Sequence, residues 1–161
     1  MAEKATFAAG CFWGTEQAFR NLPGVLDVVV GYTDGHTEHP TYEQVCSHTT
    51  GHAEAAEITF DPKHISYEQL LGIFWKIHDP TQVNRQGPDV GDQYRSAIFF
   101  HTPEQHATAG ASRDREQAKY AKPIATQIVA APRFWPAEEY HQRYFERHNV
   151  ACAYEPRLRR A

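Results

Sequence analysis

The chain has 161 residues, of which 41% are apolar and 22% charged, and carries a formal net charge of −4. That is the size of one domain and enough to bury a core without metal or disulfide support. No run approaches the roughly 18 to 20 apolar residues of a membrane span, Met1-Ala2-Glu3-Lys4 lacks the start of a secretory leader, and the acidic balance argues against a nucleic-acid partner.

Ala5 to Ala9 is a short apolar run, and Gly14 to Leu22 reads as a helix, so Gly10-Cys11 falls at a strand-to-helix turn. Free N–H groups and the helix dipole favour an anion there. Cys11 is therefore expected to be more thiolate-like than a cysteine in water; the competing reading is a small core cysteine. Leu26 to Tyr32, rich in valine after Leu22-Pro23-Gly24, predicts a strand. Thr33 to Gly51 is polar and reads as a long loop. Ala53 to Phe60 predicts a strand ended by Asp61-Pro62. Ser66 caps a helix to about Lys76, Gln69 completes a capping box, and Leu70, Phe74 and Ile77 lie on one side.

His78 to Tyr94, with Asp79-Pro80, Gly87-Pro88 and Gly91, is a second irregular segment. Arg95 to His101 predicts a strand, and Thr102-Pro103-Glu104-Gln105 starts a helix to about Tyr120. Ile124 to Ala130 predicts another strand, and Pro136 to Glu146 a last helix with Tyr140, Tyr144 and Phe145 facing inward. The opening order of strand, helix, strand, strand, helix, strand matches a ferredoxin-like split βαβ core, an α/β (α+β) fold with helices on one face of the sheet. The later elements and the long loops extend it. Cys11 would lie at the carboxyl end of a strand, beside both irregular segments. One domain over residues 1–161, with 147–161 as a mobile tail, is expected; so are a monomer and a cytoplasmic location.

Strand alternation puts Glu54 on one face with Ala56, Ile58 and Phe60. A carboxylate in apolar surroundings loses hydration and its pKa rises, so Glu54 could hold and deliver a proton near neutral pH. Tyr42 and Tyr94, one in each polar segment, can donate hydrogen bonds to a developing oxyanion. Asp89 sits in a turn-like Gly87-Pro88-Asp89-Val90-Gly91. Phe12 and Trp13 would make an apolar wall beside the cysteine if exposed to the same cleft, or anchor the helix if not. Ten histidines include His36, His39, His48 and His52 near Cys46, but no Cys-x-x-Cys or His-Glu-x-x-His occurs. A metal site is therefore disfavoured. No glycine-rich nucleotide loop occurs either.

Three cysteines, Cys11, Cys46 and Cys152, make no disulfide scaffold. Two enzyme classes survive. A cysteine hydrolase or acyltransferase would need a histidine to activate Cys11, with His52, His78 and His101 available. A thiol redox enzyme would oxidise Cys11 to a sulfenic acid and resolve it with a second cysteine. Cys152, beyond the last predicted helix, is a natural place for that thiol. A non-enzymatic protein with one core cysteine is the third reading.

Gly10-Cys11-Phe12-Trp13-Gly14-Thr15-Glu16 resembles the signature of the A-type peptide methionine sulfoxide reductases. The similarity continues through Pro40-Thr41-Tyr42-Glu43-Gln44-Val45-Cys46, Gly51-His52-Ala53-Glu54, His78-Asp79-Pro80-Thr81, Asp89-Val90-Gly91, Gln93-Tyr94-Arg95-Ser96 and Ala137-Glu138 to His141-Gln142. It covers nearly the whole chain in family order. The resemblance implies a two-layer sandwich that reduces the S epimer of methionine sulfoxide, free or in proteins, is recycled by thioredoxin, and needs no metal or bound organic cofactor. It implies Cys11 as nucleophile, Phe12 and Trp13 as the pocket for the substrate methyl group, and Glu54 as proton donor. Tyr42 and Tyr94 would bind the sulfoxide oxygen, Asp89 would support the site, and Cys152 would resolve the sulfenic acid as a Cys11–Cys152 disulfide. Two departures stand out. Ala151 precedes Cys152 where the family often has tyrosine, in a short tail with no further cysteine, and His48 stands where glycine is usual.

Overall fold

The structure is a computed structural model that describes residues 1–148. Cys152 and the rest of the expected tail, 149–161, lie outside the described residues. The predicted opening order folds into β1 (Glu3–Ala9), α1 (Phe12–Arg20), β2 (Val25–Thr33), β3 (Ala53–Phe60), a helix over Tyr67–Lys76 and a strand over Ser96–Phe100. With a short helix α2 (Tyr42–Cys46) and a two-strand hairpin β4 (Arg85–Gln86) and β5 (Asp89–Val90) inserted, those last two become α3 and β6. Helix α4 (Pro103–Gln117), strands β7 (Gln127–Ala130) and β8 (Phe134–Pro136), and helix α5 (Tyr144–His148) follow.

The main sheet has the order β7-β6-β1-β3-β2-β8. Its centre, β6-β1-β3-β2, is antiparallel throughout, as in a split βαβ core; β7 adds parallel to β6 and β8 antiparallel to β2. Strand β1 pairs with both β3 and β6, so neither of its edges is free, and apolar clusters cover both of its faces. That is why its second half is apolar without alternation: Ala5, Phe7, Ala8 and Ala9 are all fully buried. The helical layer lies on the Phe7 face. Phe7 meets Phe19 of α1 at 5.6 Å and Phe74 of α3 at 5.1 Å, ring centre to ring centre. Truncating Phe7 to alanine would cost about 3 to 5 kcal/mol. The other face is built of Ala8, Ala53, Ala55, Ala97 and Phe99, with Val129 and Phe134 against them.

The caps follow the sequence signals. Ser66 Oγ accepts the Gln69 N–H at 3.0 Å while Gln69 Oε1 accepts the Ser66 N–H at 2.8 Å. Thr102 Oγ1 accepts the Gln105 N–H at 3.1 Å and Pro103 opens α4. Helix α1 starts two residues before the expected Gly14, and α4 stops at Gln117 rather than Tyr120.

Three expectations are corrected. The first polar segment is not all loop: Thr41 and Gln44 form a capping box that starts α2. The second contains the β4–β5 hairpin and a 3-10 turn at Asp92–Tyr94, and its Gln86 is buried and bonded to both the N–H and the carbonyl of Asp79. The expected helix over Pro136–Glu146 is instead the end of β8, a 3-10 turn at Glu139–His141 and the short α5. Pairing of Phe134 with Thr33 and Pro136 with Gly31 holds that stretch extended. Tyr140, expected inside, is 51% exposed, and His141 is buried in its place. Among the described residues no helix is long and apolar enough to cross a membrane.

Candidate active site

Cys11 caps the N-terminus of α1, straight after Gly10, whose φ of +92° suits glycine. Its carbonyl accepts the Thr15 N–H at 3.4 Å, and the residue is partly exposed. The thiol is not thiolate-like as expected. Burial pushes its pKa well above the ordinary range, and negative charge on Glu54 and Asp89 acts in the same direction. Hydrogen bonding from the Trp13 and Gly14 N–H groups, the helix-terminus effect anticipated from the sequence, opposes this but is outweighed.

Glu54 lies on β3 opposite Tyr32 of β2 and is 1% exposed. Its Oε1 accepts the N–H of Phe12, the residue after the cysteine, at 3.2 Å. Its Oε2 is buried without a hydrogen-bond partner among the described residues. Burial, offset in part by the Phe12 N–H and reinforced by Asp89, pushes the carboxyl up to about 8. Glu54 therefore carries a proton at neutral pH. A buried oxygen with no protein partner is a costly feature that a bound polar group would relieve.

Tyr42 opens α2, and its N–H donates to Glu138 Oε2 at 2.9 Å. Glu138 Oε1 accepts the Tyr32 hydroxyl at 2.8 Å, so this carboxylate joins β2 to α2. Tyr94 closes the 3-10 turn after β5. Burial holds both phenols above their ordinary range; Cys46 acts next on Tyr42 and Glu54 next on Tyr94. Both remain hydrogen-bond donors. Asp89, on β5, is close enough for its charge to act on Cys11, Glu54 and Tyr94. Three separate segments, β3, α2 and the stretch from β5 to Tyr94, thus bring these groups together near the N-terminus of α1.

Phe12 and Trp13 part ways. Phe12 is fully buried, 5.7 Å from the Tyr32 ring and 5.2 Å from the His141 ring, so it anchors the helix in the core. Trp13 is partly exposed; Tyr144 stacks on it at 3.7 Å, and its indole N–H donates to His141 Nδ1 at 3.0 Å. His141 is 1% exposed and also packs on Tyr42 at 4.4 Å. Burial lowers its pKa against the charge of Glu138, so the ring is neutral. Since Nδ1 accepts, the proton sits on Nε2, which is buried without a partner among the described residues. Sequence reading gave neither His141 nor Glu138 a role.

The histidines that a hydrolase would need are engaged elsewhere. His52 is held between the Gly35 N–H and the Thr37 carbonyl, His78 between the Phe74 carbonyl and Ser96, and His101 bonds Thr6. Among the described residues no group of three or more His, Cys, Asp or Glu could hold a metal ion.

The chain is similar to proteins of one known family. The family model for peptide methionine sulfoxide reductase matches residues 3–160. The peptide methionine sulfoxide reductase MsrA of Geobacter sulfurreducens is 58% identical over 147 residues, 90% of this chain and 91% of that protein. The crystal structure of Mxr1 from Saccharomyces cerevisiae in reduced form superposes with a TM-score of 0.89 at 37% identity, covering 94% of this chain and 90% of that one. The same yeast protein in complex with Trx2 gives a TM-score of 0.65 at 29% identity, over 89% and 84%. The chain therefore belongs to the peptide methionine sulfoxide reductase family and is an enzyme that reduces methionine S-sulfoxide through cysteine chemistry.

Proposed function

We propose that Cys11 is the nucleophile and Glu54 the proton donor of this reduction. The observation that carries the reading is the Glu54 carboxyl: protonated near neutral pH, tied by Oε1 to the N–H following Cys11, and left with Oε2 unpartnered. The Cys11 sulfur attacks the sulfoxide sulfur while Glu54 protonates the oxygen, a poor leaving group otherwise. The oxygen passes to Cys11 as the sulfenic acid and the thioether leaves. The substrate sulfur is reduced by two electrons, Cys11 is oxidised by two, and the thiol proton restores Glu54. No proton is consumed overall. This suits a thiol whose proton is held tightly at rest, because attack and proton transfer are linked at one carboxyl.

The hydroxyls of Tyr42 and Tyr94 hold the oxygen as charge develops on it. Asp89 supports the polar side of the site. Trp13, steadied by His141 and Tyr144, presents an apolar wall to the substrate methyl group, with Phe12 behind it as a fixed support. Cys152 then attacks the Cys11 sulfenic sulfur, water leaves and a Cys11–Cys152 disulfide forms. That assignment rests on the family resemblance. Thioredoxin would reduce the disulfide by thiol exchange, a reading supported by the yeast relative in complex with Trx2.

The test is turnover of each epimer of methionine sulfoxide, first with dithiothreitol and then with a thioredoxin system. The S epimer alone should be consumed with both reductants. Equal consumption of the R epimer would refute the site assignment, and failure with thioredoxin alone would refute the recycling.

A further inference from the structure

The stretch between β8 and α5 is pinned to β2 at Val30 from both of its ends. The Ala137 N–H donates to the Val30 carbonyl at 2.9 Å. The Gln142 carboxamide takes Val30 from the other end: Oε1 accepts the Val30 N–H at 3.0 Å, and Nε2 donates to the carbonyls of Val30 at 2.9 Å and Ala137 at 3.1 Å. Between these pins lies the 3-10 turn at Glu139–His141, closed by the His141 N–H on the Glu138 carbonyl at 2.9 Å. Glu138 and His141, at the two ends of the turn, both reach Tyr42. Glu138 Oε2 accepts the Tyr42 N–H at 2.9 Å, and the His141 ring lies 4.4 Å from the Tyr42 ring. The other carboxylate oxygen is also used. Oε1 accepts the hydroxyl of Tyr32 at 2.8 Å, and Tyr32 is a fully buried residue paired with Glu54 across the sheet. Burial alone would raise the Glu138 pKa, but the Tyr42 N–H, its own N–H and the Tyr32 hydroxyl hold it below the ordinary range. An ionised acceptor makes such bonds stronger than a neutral one does.

We propose that Glu138 is a positioning residue for the reduction step. It ties the main chain of Tyr42 to Tyr32, the neighbour of Glu54, and so sets the Tyr42 hydroxyl relative to the proton donor. His141, carried on the same pinned turn, holds the Tyr42 ring from one side. In this role Glu138 acts through Tyr42 and not on the substrate. The inference rests on the reading of Tyr42 as an oxygen donor.

The experiment measures single-turnover methionine formation from methionine S-sulfoxide in Glu138→Ala, Glu138→Gln, Tyr42→Phe and Tyr94→Phe, and in Glu138→Ala combined with each tyrosine variant. Glu138→Gln keeps the reach of the side chain. Its oxygen can accept the Tyr42 N–H, and its N–H can donate to the Tyr32 hydroxyl oxygen, which accepts as well as donates. Glu138→Ala makes neither bond. Tyr42→Phe should slow the step about tenfold, the effect of losing one hydrogen bond to the developing charge. Glu138→Ala should slow it about fivefold, less than loss of the hydroxyl itself, with the half-saturating substrate concentration nearly unchanged. Glu138→Gln should stay within about twofold of the parent. Glu138→Ala should add less than about twofold to Tyr42→Phe, yet slow Tyr94→Phe by about fivefold or more. A general loss of structure would slow both backgrounds alike, so equal slowing in the two overturns the proposal. So does Glu138→Ala at the parent rate, or Glu138→Gln as slow as Glu138→Ala. If Tyr42→Phe itself keeps the parent rate, the oxygen-donor reading fails first and the positioning role with it.

Discussion

Glu54→Gln separates the proton from the carboxyl that carries it. Glutamine keeps an acceptor for the Phe12 N–H, now at 3.2 Å, but cannot ionise. The native carboxyl titrates at about 8 against an ordinary 4.5, because it is buried. The folded state therefore binds this proton more tightly than the unfolded chain. Its contribution to stability is fully present below pH 4.5 and is lost as pH rises through about 8. At 1.36 kcal/mol per pH unit the gap corresponds to at most about 5 kcal/mol, and relaxation of the charged site brings this to about 2 to 5. Urea unfolding of both proteins from pH 5 to pH 9 reads it directly. They should be similar in stability at pH 5, and the glutamine variant should be the more stable above pH 8. The same substitution should slow single-turnover methionine formation by about 10² to 10⁴, the usual span of general acid catalysis. A stability difference that does not vary with pH would refute the buried-acid argument. A rate within about twofold, only about 0.4 kcal/mol of barrier, would refute the proton-donor role.

Other outcomes follow from the same geometry. Cys11 should alkylate with iodoacetamide at pH 7 more slowly than a small free thiol, and Asp89→Asn should speed it by removing a negative charge that raises the thiol; a fast parent reaction would contradict the burial argument. Trp13→Ala should raise the half-saturating concentration of a methyl sulfoxide substrate about tenfold, with a smaller change in the single-turnover rate constant, as expected of a wall that binds ground state and transition state alike; the reverse split would remove the wall from substrate binding. Cys152→Ser should release one methionine per chain without reductant, stall with thioredoxin, and recover part of its turnover with a small dithiol. Peptide mapping that finds a Cys11–Cys46 bond in the parent after one turnover would overturn Cys152 as the resolving thiol.

The fold was legible wherever long periodic elements and caps coincide. The two capped helices begin where Ser66 and Thr102 said they would, and the order of the first six long elements led to the correct sheet centre. The misses have physical causes. Strands β4 and β5 are two residues each, too short for any period to register. Helix α2 carries a capping box at Thr41 and Gln44, but it spans five residues inside a polar stretch with no apolar stripe. The aromatic residues after Pro136 suggested a helical spacing, yet edge pairing with β2 decided the backbone of Phe134–Pro136. Alternation along β3 was enough to anticipate that Glu54 is buried. His141 carried no such signal: its importance comes from Trp13 and Tyr42, brought to it only by the tertiary fold. The chemistry at Cys11 was half legible, because the helix N-terminus is local whereas the burial and carboxylates that outweigh it are not.

In the proposed reaction oxygen moves from the substrate to the sulfur of Cys11. Mass spectrometry of the Cys152→Ser protein, given one equivalent of methionine S-sulfoxide with dimedone and no reductant, locates that oxygen. One methionine per chain with a single dimedone adduct on the Cys11 peptide is the predicted result. Methionine release with the adduct on Cys46, or with Cys11 unmodified, would contradict it.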